Sequence, residues 1–490
     1  MCIAFAANAL DIPEIFSDHM MLQQNTNARL WGWAKKGAEV KVTTSWNSAV
    51  YSVKADKQTG RWDVKVATPK ASYDTYTVTV EGDGQKAVIN DVLIGEVWFC
   101  SGQSNMEMPL QGFWNCPVEG ANETIVQSGR YKKSIRCATI AKEGVKEPKD
   151  KVSGKWAVCE PKNAPLFSAC GYYFAQTLTD ILDIPVGIIN CSWGGSCVEG
   201  WLPKEILETY PDGLVPFDNE DYHEKMKMYN GMLYPLAGYT IKGFLWNQGE
   251  SNVGREKEYI DRFSTMTRLW RKMWNQPDDN LPIYAVELPP YRYGDGLDGV
   301  GGAKFRAAQH EIAKVLDHYG CVCTSDLIYE YEPDQIHGCK KKEIGQRLAY
   351  MAAARDYGVE GIGAESPEFE YYEVVDATDG DNAVIAGSKV NTPNVSGKVL
   401  KLFFTNSADG FDRMTGIEGF EAQDENGNWH EAIVWSGSEW QGVKRQGCFL
   451  KLSCPEAKEI KNIRYCYHNF VVGKLHNMRA LPVVPFTTEK

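Results

Sequence analysis

Ser104 stands in the run Cys100-Ser101-Gly102-Gln103-Ser104-Asn105-Met106-Glu107-Met108, where an apolar stretch gives way to a small-residue loop and then to a helix-forming one. A serine there can attack an acyl carbonyl, because the N–H groups at a helix start stabilise the anion that develops. The same serine can equally be an ST-turn or a helix cap. The run is not G-x-S-x-G, so it is not the nucleophile elbow of α/β-hydrolases. A serine nucleophile needs a base, and the base needs an orienting carboxylate. Two of the eight histidines have an acid three residues before them, Glu220-x-x-His223 and Asp334-x-x-His337. The first lies in a strongly polar stretch and is expected to face solvent. The second follows the expected strand Cys321–Asp326. It precedes a helix whose apolar residues recur at Ile344, Leu348, Met351 and Ala352. Read locally, Asp334 could simply cap that helix.

Two more loops leave apolar strands. Asn190-Cys191-Ser192-Trp193-Gly194-Gly195-Ser196 offers backbone N–H groups without side-chain obstruction, and Asn247-Gln248-Gly249-Glu250-Ser251-Asn252 offers a side-chain amide. Acyl transfer needs donors of this kind aimed at the oxyanion. Each loop alone is a turn or a polar surface. Four of them, each following its own strand, make a site.

The elements that position these loops are short and apolar. Val92–Cys100, Pro185–Asn190, Ile241–Trp246 and Leu281–Val286 read as buried strands. Helical stretches run from Ser168 to Leu182 and from Lys257 to Trp274. Buried strands alternating with helices predict a parallel sheet covered on both faces, an α/β/α arrangement. In open sheets of this class ligands bind outside the carboxyl ends of the strands. Alternating segments such as Val40-Lys41-Val42, Trp62–Val66 and Tyr76–Val80 predict an N-terminal β-sandwich over residues 10–90. A second β module is expected over 361–490, where an Asn426-Gly427 turn joins Phe420–Gln423 to Trp429–Val434. The α/β domain then occupies 91–360.

The whole chain agrees with a globular enzyme of about three domains. It has 490 residues, 52 Lys+Arg against 64 Asp+Glu and a formal net charge of −12. That balance argues against a general nucleic-acid binder. No run of 18 apolar residues suggests a membrane span. The 15 Trp and 24 Tyr suit β cores and sugar-binding surfaces alike, so they decide neither. Met1–Ala9 looks like the end of a secretory signal, although it lacks a basic start, which predicts a secreted or periplasmic protein. The 14 cysteines lack paired zinc spacing and are expected to be mostly buried free thiols, with room for one or two disulfides. Sequons occur at Asn122, Asn190 and Asn394.

Gly102-Gln103-Ser104-Asn105-Met106-Glu107-Met108 resembles the nucleophile block of sialate O-acetylesterases in the SGNH-hydrolase superfamily. Trp246–Asn252 resembles that family's WxQGESN block, Trp193–Ser196 its WGG loop, and Asp334-x-x-His337 its Asp-His block. Ile15–Gln23 and Leu481–Phe486 are similar to its opening and closing segments. The resemblance implies a three-layer α/β/α hydrolase domain flanked by β domains, with no metal and no cofactor. It implies Ser104 as nucleophile, His337 as general base and acid, and Asp334 as its orienting partner. The Ser104 N–H, an N–H of Gly194 or Gly195, and Gln248 become the oxyanion hole. Gln103, Asn105, Glu250 and Arg306 become candidate substrate contacts, and Arg255 is a further cation near a matched block. Arg306-Ala307-Ala308-Gln309 departs from the family's R-E-A-Q.

The expected reaction is a two-step, serine-dependent hydrolysis of O-acetyl esters on a sugar. His337 must be neutral to act as base, so activity should fall in acid, with the change expected between pH 5 and 8. The substrate alternatives are an acetylxylan or broad acetyl-sugar esterase and, further off, a lipase or thioesterase. The non-enzyme alternative is a carbohydrate-binding protein with an inert middle domain. A homo-oligomer is compatible with the sequence.

Overall fold

The longest strand, Gln85–Gly102, organises the molecule. Its second half is buried on both faces. Val97 and Phe99 pack into one core with Phe263, Met266 and Trp270 of the helix Glu256–Met273. Trp98 and Cys100 pack into another with Tyr173, Phe174 and Leu178 of the helix Ala169–Leu182. Leu348 and Ala352 of the helix Lys341–Tyr357 complete that second core. This is the three-layer α/β/α arrangement that a run without polar alternation predicts. The computed structural model describes residues 10–215, 224–274, 281–386, 395–441 and 444–489.

Across the sheet the strands run Tyr319–Val322, Ile283–Val286, Gly243–Asn247, Gln85–Gly102, Val186–Ser192, Ile135–Thr139 and Trp156–Val158. All neighbours are parallel except the last pair. Chain order reverses around Gln85–Gly102, which makes its carboxyl end the switch point where a crevice opens. The register is informative. Gly102 is aligned with Ser192 on one side and with Asn247 on the other. The loops starting at Gln103, Trp193 and Gln248 therefore leave the sheet at one level.

The first half of Gln85–Gly102 belongs to the N-terminal β module, where it pairs with Ser72–Gly82. That module adds Glu39–Thr44 and Val50–Lys54, with Asn27–Trp33 and Arg61–Ala67 as a separate two-stranded sheet. Met21–Gln23 pairs in parallel with Leu93–Gly95. The expected division at Asp91 falls inside the shared strand. Its side chain is bonded to His19 at 2.6 Å and to Arg136 at 3.1 Å. One apolar core runs from Trp31, Val40 and Val80 through to Trp246 and Trp270, so the two modules are fused.

The C-terminal module consists of two four-stranded antiparallel sheets. They enclose Leu402, Phe420, Leu450, Ile463 and Tyr465. The expected hairpin is present, with Phe420–Gln423 paired to Trp429–Glu431 and Gly427 at φ 89°. A return loop of this module grips the hydrolase domain. Asn469 Oδ1 accepts the Gly302 N–H at 2.7 Å, and His476 Nε2 lies 3.1 Å from Asp326 Oδ2. Arg347 holds the same Asp326 through two bonds. Burial works against the Asp326 charge, but the bonds from Arg347 and His476 outweigh it and hold its carboxyl at about 2.

Three local expectations shift. The strand expected at Cys321–Asp326 is Tyr319–Val322, which leaves Asp326 in the loop where Arg347 and His476 reach it. The helices expected at Ser168–Leu182 and Lys257–Trp274 are Ala169–Leu182, with Ser168 accepting the Gly171 N–H as N-cap, and Glu256–Met273. Asn190 is buried in its strand, whereas Asn122 is exposed on the helix Ala121–Gln127. Every described cysteine is a free thiol, and no described pair is bridged. No helix among the described residues is long and apolar enough to cross a membrane. Met1–Ala9, the Glu220/His223 pair and Asn394 lie outside the described residues.

Candidate active site

Ser104 is the first residue of the short helix Ser104–Glu107. The chain reaches it through Gly102 at φ 131°, where a Cβ would meet the Asn247 carbonyl oxygen at 2.2 Å. Only glycine lets the Ser104 loop press against the neighbouring strand in that way. Gln103 N–H then donates to Asn247 O at 2.9 Å, and Trp193 N–H donates to Gly102 O at 3.0 Å. Gly194 lies directly against the serine, since a Cβ on it would sit 3.2 Å from Ser104 Cβ. Its N–H donates to Glu107 Oε2 at 2.6 Å, and Glu107 Oε1 is 2.7 Å from Lys142 Nζ. Among the described hydrogen bonds, none uses the N–H of Ser104 or of Gly195.

Asn105, the next residue, joins the remaining loops. Its Nδ2 donates to Glu250 Oε1 at 2.5 Å and to Ile336 O at 3.1 Å, and its Oδ1 accepts from Lys341 Nζ at 2.5 Å. The turn carrying His337 is thus bolted to the residue beside Ser104. Burial raises the Glu250 carboxyl and lowers the Lys341 ammonium, each losing preference for its charged form.

His337 is half-buried, with the Phe113 ring edge-on at 5.3 Å. Burial and then the Lys341 charge bring its pKa down to about 4, so the imidazole is neutral at neutral pH. Its Nδ1 faces Cys116 Sγ at 3.7 Å. The Asp334 carboxylate is elsewhere. It lies 3.2 Å from Arg292 Nε, with a side chain 67% exposed. Among the described residues no hydrogen bond joins Asp334 to His337 or His337 to Ser104. The expectation that Asp334 orients His337 is therefore not met in this structure, because Arg292 competes for the carboxylate. In apo enzymes such bonds are often long and tighten only around substrate.

The profile of a family described as carbohydrate esterase, sialic acid-specific acetylesterase, matches residues 94–354, more than half of the chain. The sialate O-acetylesterase of Homo sapiens is 30% identical over 395 residues, 74% of this chain and 73% of the human protein. The chain belongs to this carbohydrate esterase family. The Mus musculus sialate O-acetylesterase is 25% identical over 405 residues, 71% of this chain and 74% of the mouse protein. A crystal structure of a carbohydrate acetylesterase from Xanthomonas citri superposes with a TM-score of 0.81 at 25% identity, covering 98% of this chain and 100% of that one.

Several residues expected to contact the reaction are bonded to neighbouring groups of the carbohydrate esterase. Gln248 is 0% exposed, and its Nε2 donates to Ser196 O at 3.0 Å and Asn252 Oδ1 at 2.7 Å. Both amide hydrogens are engaged, so it does not face an oxyanion. Gln103 Oε1 accepts from the N–H groups of Gly249 and Ser251 at 3.3 and 3.5 Å. Asn105 and Glu250 are bonded to each other. Arg306 is 1% exposed, and its Nη2 donates to His468 O. Arg255 pairs with Glu199 at 2.7 Å. Glu107, Cys116 and Lys341 were missed as participants. Glu107 sits within the nucleophile block itself, and Lys341 opens the helix four residues after His337, so nearness to matched blocks could have raised both. Nothing local points to Cys116.

Proposed function

We propose that this protein hydrolyses O-acetyl esters of sialic acids and releases acetate, with Ser104 as nucleophile and His337 as general base and acid. One observation carries the reading. Ser104 lies against Gly194 at the carboxyl edge of the sheet, and the residue after it, Asn105, bonds the Ile336 carbonyl next to His337, in a chain of the carbohydrate esterase family. The human and mouse relatives, named as sialate O-acetylesterases, support the substrate class.

His337 Nδ1 faces Cys116, which leaves Nε2 for the Ser104 proton. As that proton moves, Oγ attacks the acetyl carbon and the carbonyl oxygen becomes an oxyanion. The N–H groups of Ser104 and Gly195 take that charge, since the Gly194 N–H is held by Glu107. The carbon–oxygen bond to the sugar then breaks. His337 gives its proton to the departing sugar oxygen, and acetyl-Ser104 remains. His337 next deprotonates a water that attacks the acetyl group, acetate leaves, and the proton returns to Oγ. While the imidazole carries a proton it needs a counter-charge on Nδ1. Asp334 turns from Arg292 to supply it, at small cost, because an exposed ion pair contributes about 0–1 kcal/mol.

The test is acetate release from 9-O-acetylated sialic acid and from acetylated xylan oligomers. Release from the sialic acid is expected. Release from xylan alone would move the reading to an acetylxylan esterase, and release from neither would remove it.

A further inference from the structure

A cleft of about 470 Å³ opens over the ends of the strands Ile135–Thr139 and Val186–Ser192, and Glu107 of the helix Ser104–Glu107 lines it. Its wall toward the nucleophile is made by Glu107 and by Phe113, the ring that packs on His337. Its other polar groups include Lys142, Lys155 and Asn163, and Leu166 and Phe167 give it an apolar side. Two ammonium groups in a chain of net charge −12 mark the cleft as locally cationic. Lys142 bonds Glu107 at 2.7 Å and lies 5.9 Å from the Trp193 ring. Lys155 is 66% exposed and 3.9 Å from Glu14, too long for a tight pair. Counting the lining side chains, two cations stand against the single carboxylate of Glu107.

We propose that this cleft is the sugar subsite, and that Lys142 and Lys155 bind the carboxylate of an acidic sugar whose acetyl ester reaches Ser104. The proposal rests on the reading above and specifies it. Lys142 is separated from the oxyanion loop only by Glu107, which bonds both the ammonium and the Gly194 N–H. A sugar lying along the cleft would present its ester toward Glu107 and its carboxylate toward the two ammonium groups, with Phe113 and Leu166 against its C–H face. A neutral acetylated sugar fills the same space but leaves both ammonium groups without a new partner. The cleft thus discriminates by charge, which a purely apolar pocket cannot do.

The test compares kcat/KM for 9-O-acetylated sialic acid with that for its C1 methyl ester. Wild type should favour the free acid by about tenfold. In Lys142→Gln/Lys155→Gln the ratio should fall to about one, and in Lys155→Gln alone to an intermediate value. Each ratio is taken on one enzyme, so damage to the oxyanion loop through Glu107 lowers both rates and leaves it untouched. Equal rates on the two substrates in wild type, or an unchanged ratio in the double variant, overturn the subsite alone. No acetate from either substrate overturns the proposed function and this inference with it.

Discussion

Asp334 Oδ1 lies 3.2 Å from Arg292 Nε, and this exposed pair holds the carboxylate three residues before His337 away from the imidazole. That arrangement is the resting state of a carboxylate that turns to His337 during turnover. Asp334→Asn should lower kcat by about 10⁴, the loss that follows when a triad base loses its orienting carboxylate. Arg292→Ala should free Asp334 to reach His337 in the resting enzyme and shift the acid limb of kcat/KM upward. If Asp334→Asn keeps wild-type kcat, the carboxylate serves only its ion pair with Arg292.

The pH profile follows from His337 at about 4. The neutral imidazole is the active base, so the competent form is present above that value and lost as pH falls through it. In wild type kcat/KM should be flat from pH 5 to 8 and drop near pH 4, since this ratio reports the free enzyme. That moves the change expected from the sequence to lower pH, and the cause is burial beside Lys341. Stability has the same sign. The unfolded imidazole takes a proton near 6.5, so the contribution of neutral His337 is present above that and diminishes from 6.5 toward 4. Initial-rate measurements on a neutral acetyl ester check the profile, and a limb centred near 6.5 would contradict the burial argument.

Gln248 separates a scaffold role from an oxyanion role. Its truncation strips the donor from the buried Ser196 carbonyl and one of two donors from the buried Asn252 Oδ1, which keeps the Val198 N–H. Gln248→Ala should cost about 1–3 kcal/mol of stability in urea unfolding, the penalty for buried groups left unbonded. A variant with unchanged stability and kcat lower by about 10²–10³ would instead restore Gln248 to the oxyanion hole.

Asn105 should show both effects at once. Asn105→Ala releases Glu250, Ile336 O and Lys341 together. A lowered melting temperature and a lower kcat are expected, because the His337 turn loses its tie to the nucleophile loop. A variant with a lower melting temperature but wild-type kcat would show that this tie does not position His337.

Much of this site was legible in the sequence because its parts are local. A small-residue loop after an apolar strand makes Ser104 a candidate, and the parallel sheet those strands predict is present, with Gly102, Ser192 and Asn247 in one register. What was not legible depends on side-chain competition across long separations. Arg292 is remote in sequence from Asp334, and Cys116 is farther still from His337. The direction of the Gln248 amide is set by Ser196 and Asn252, which its own block only half contains. The domain division at Asp91 was read from a change in composition, whereas the chain continues there as one strand shared by two sheets. The strand Ile135–Thr139 escaped notice because Arg136 interrupts it, and that guanidinium is buried by pairing with Asp91.

The covalent step is the centre of the account, and rapid quenching during turnover of 9-O-acetylated sialic acid tests it most directly. Mass spectrometry should find one acetyl group on the peptide containing Ser104, and Ser104→Ala should carry none and release almost no acetate. Acetate release by Ser104→Ala at the wild-type rate would contradict it.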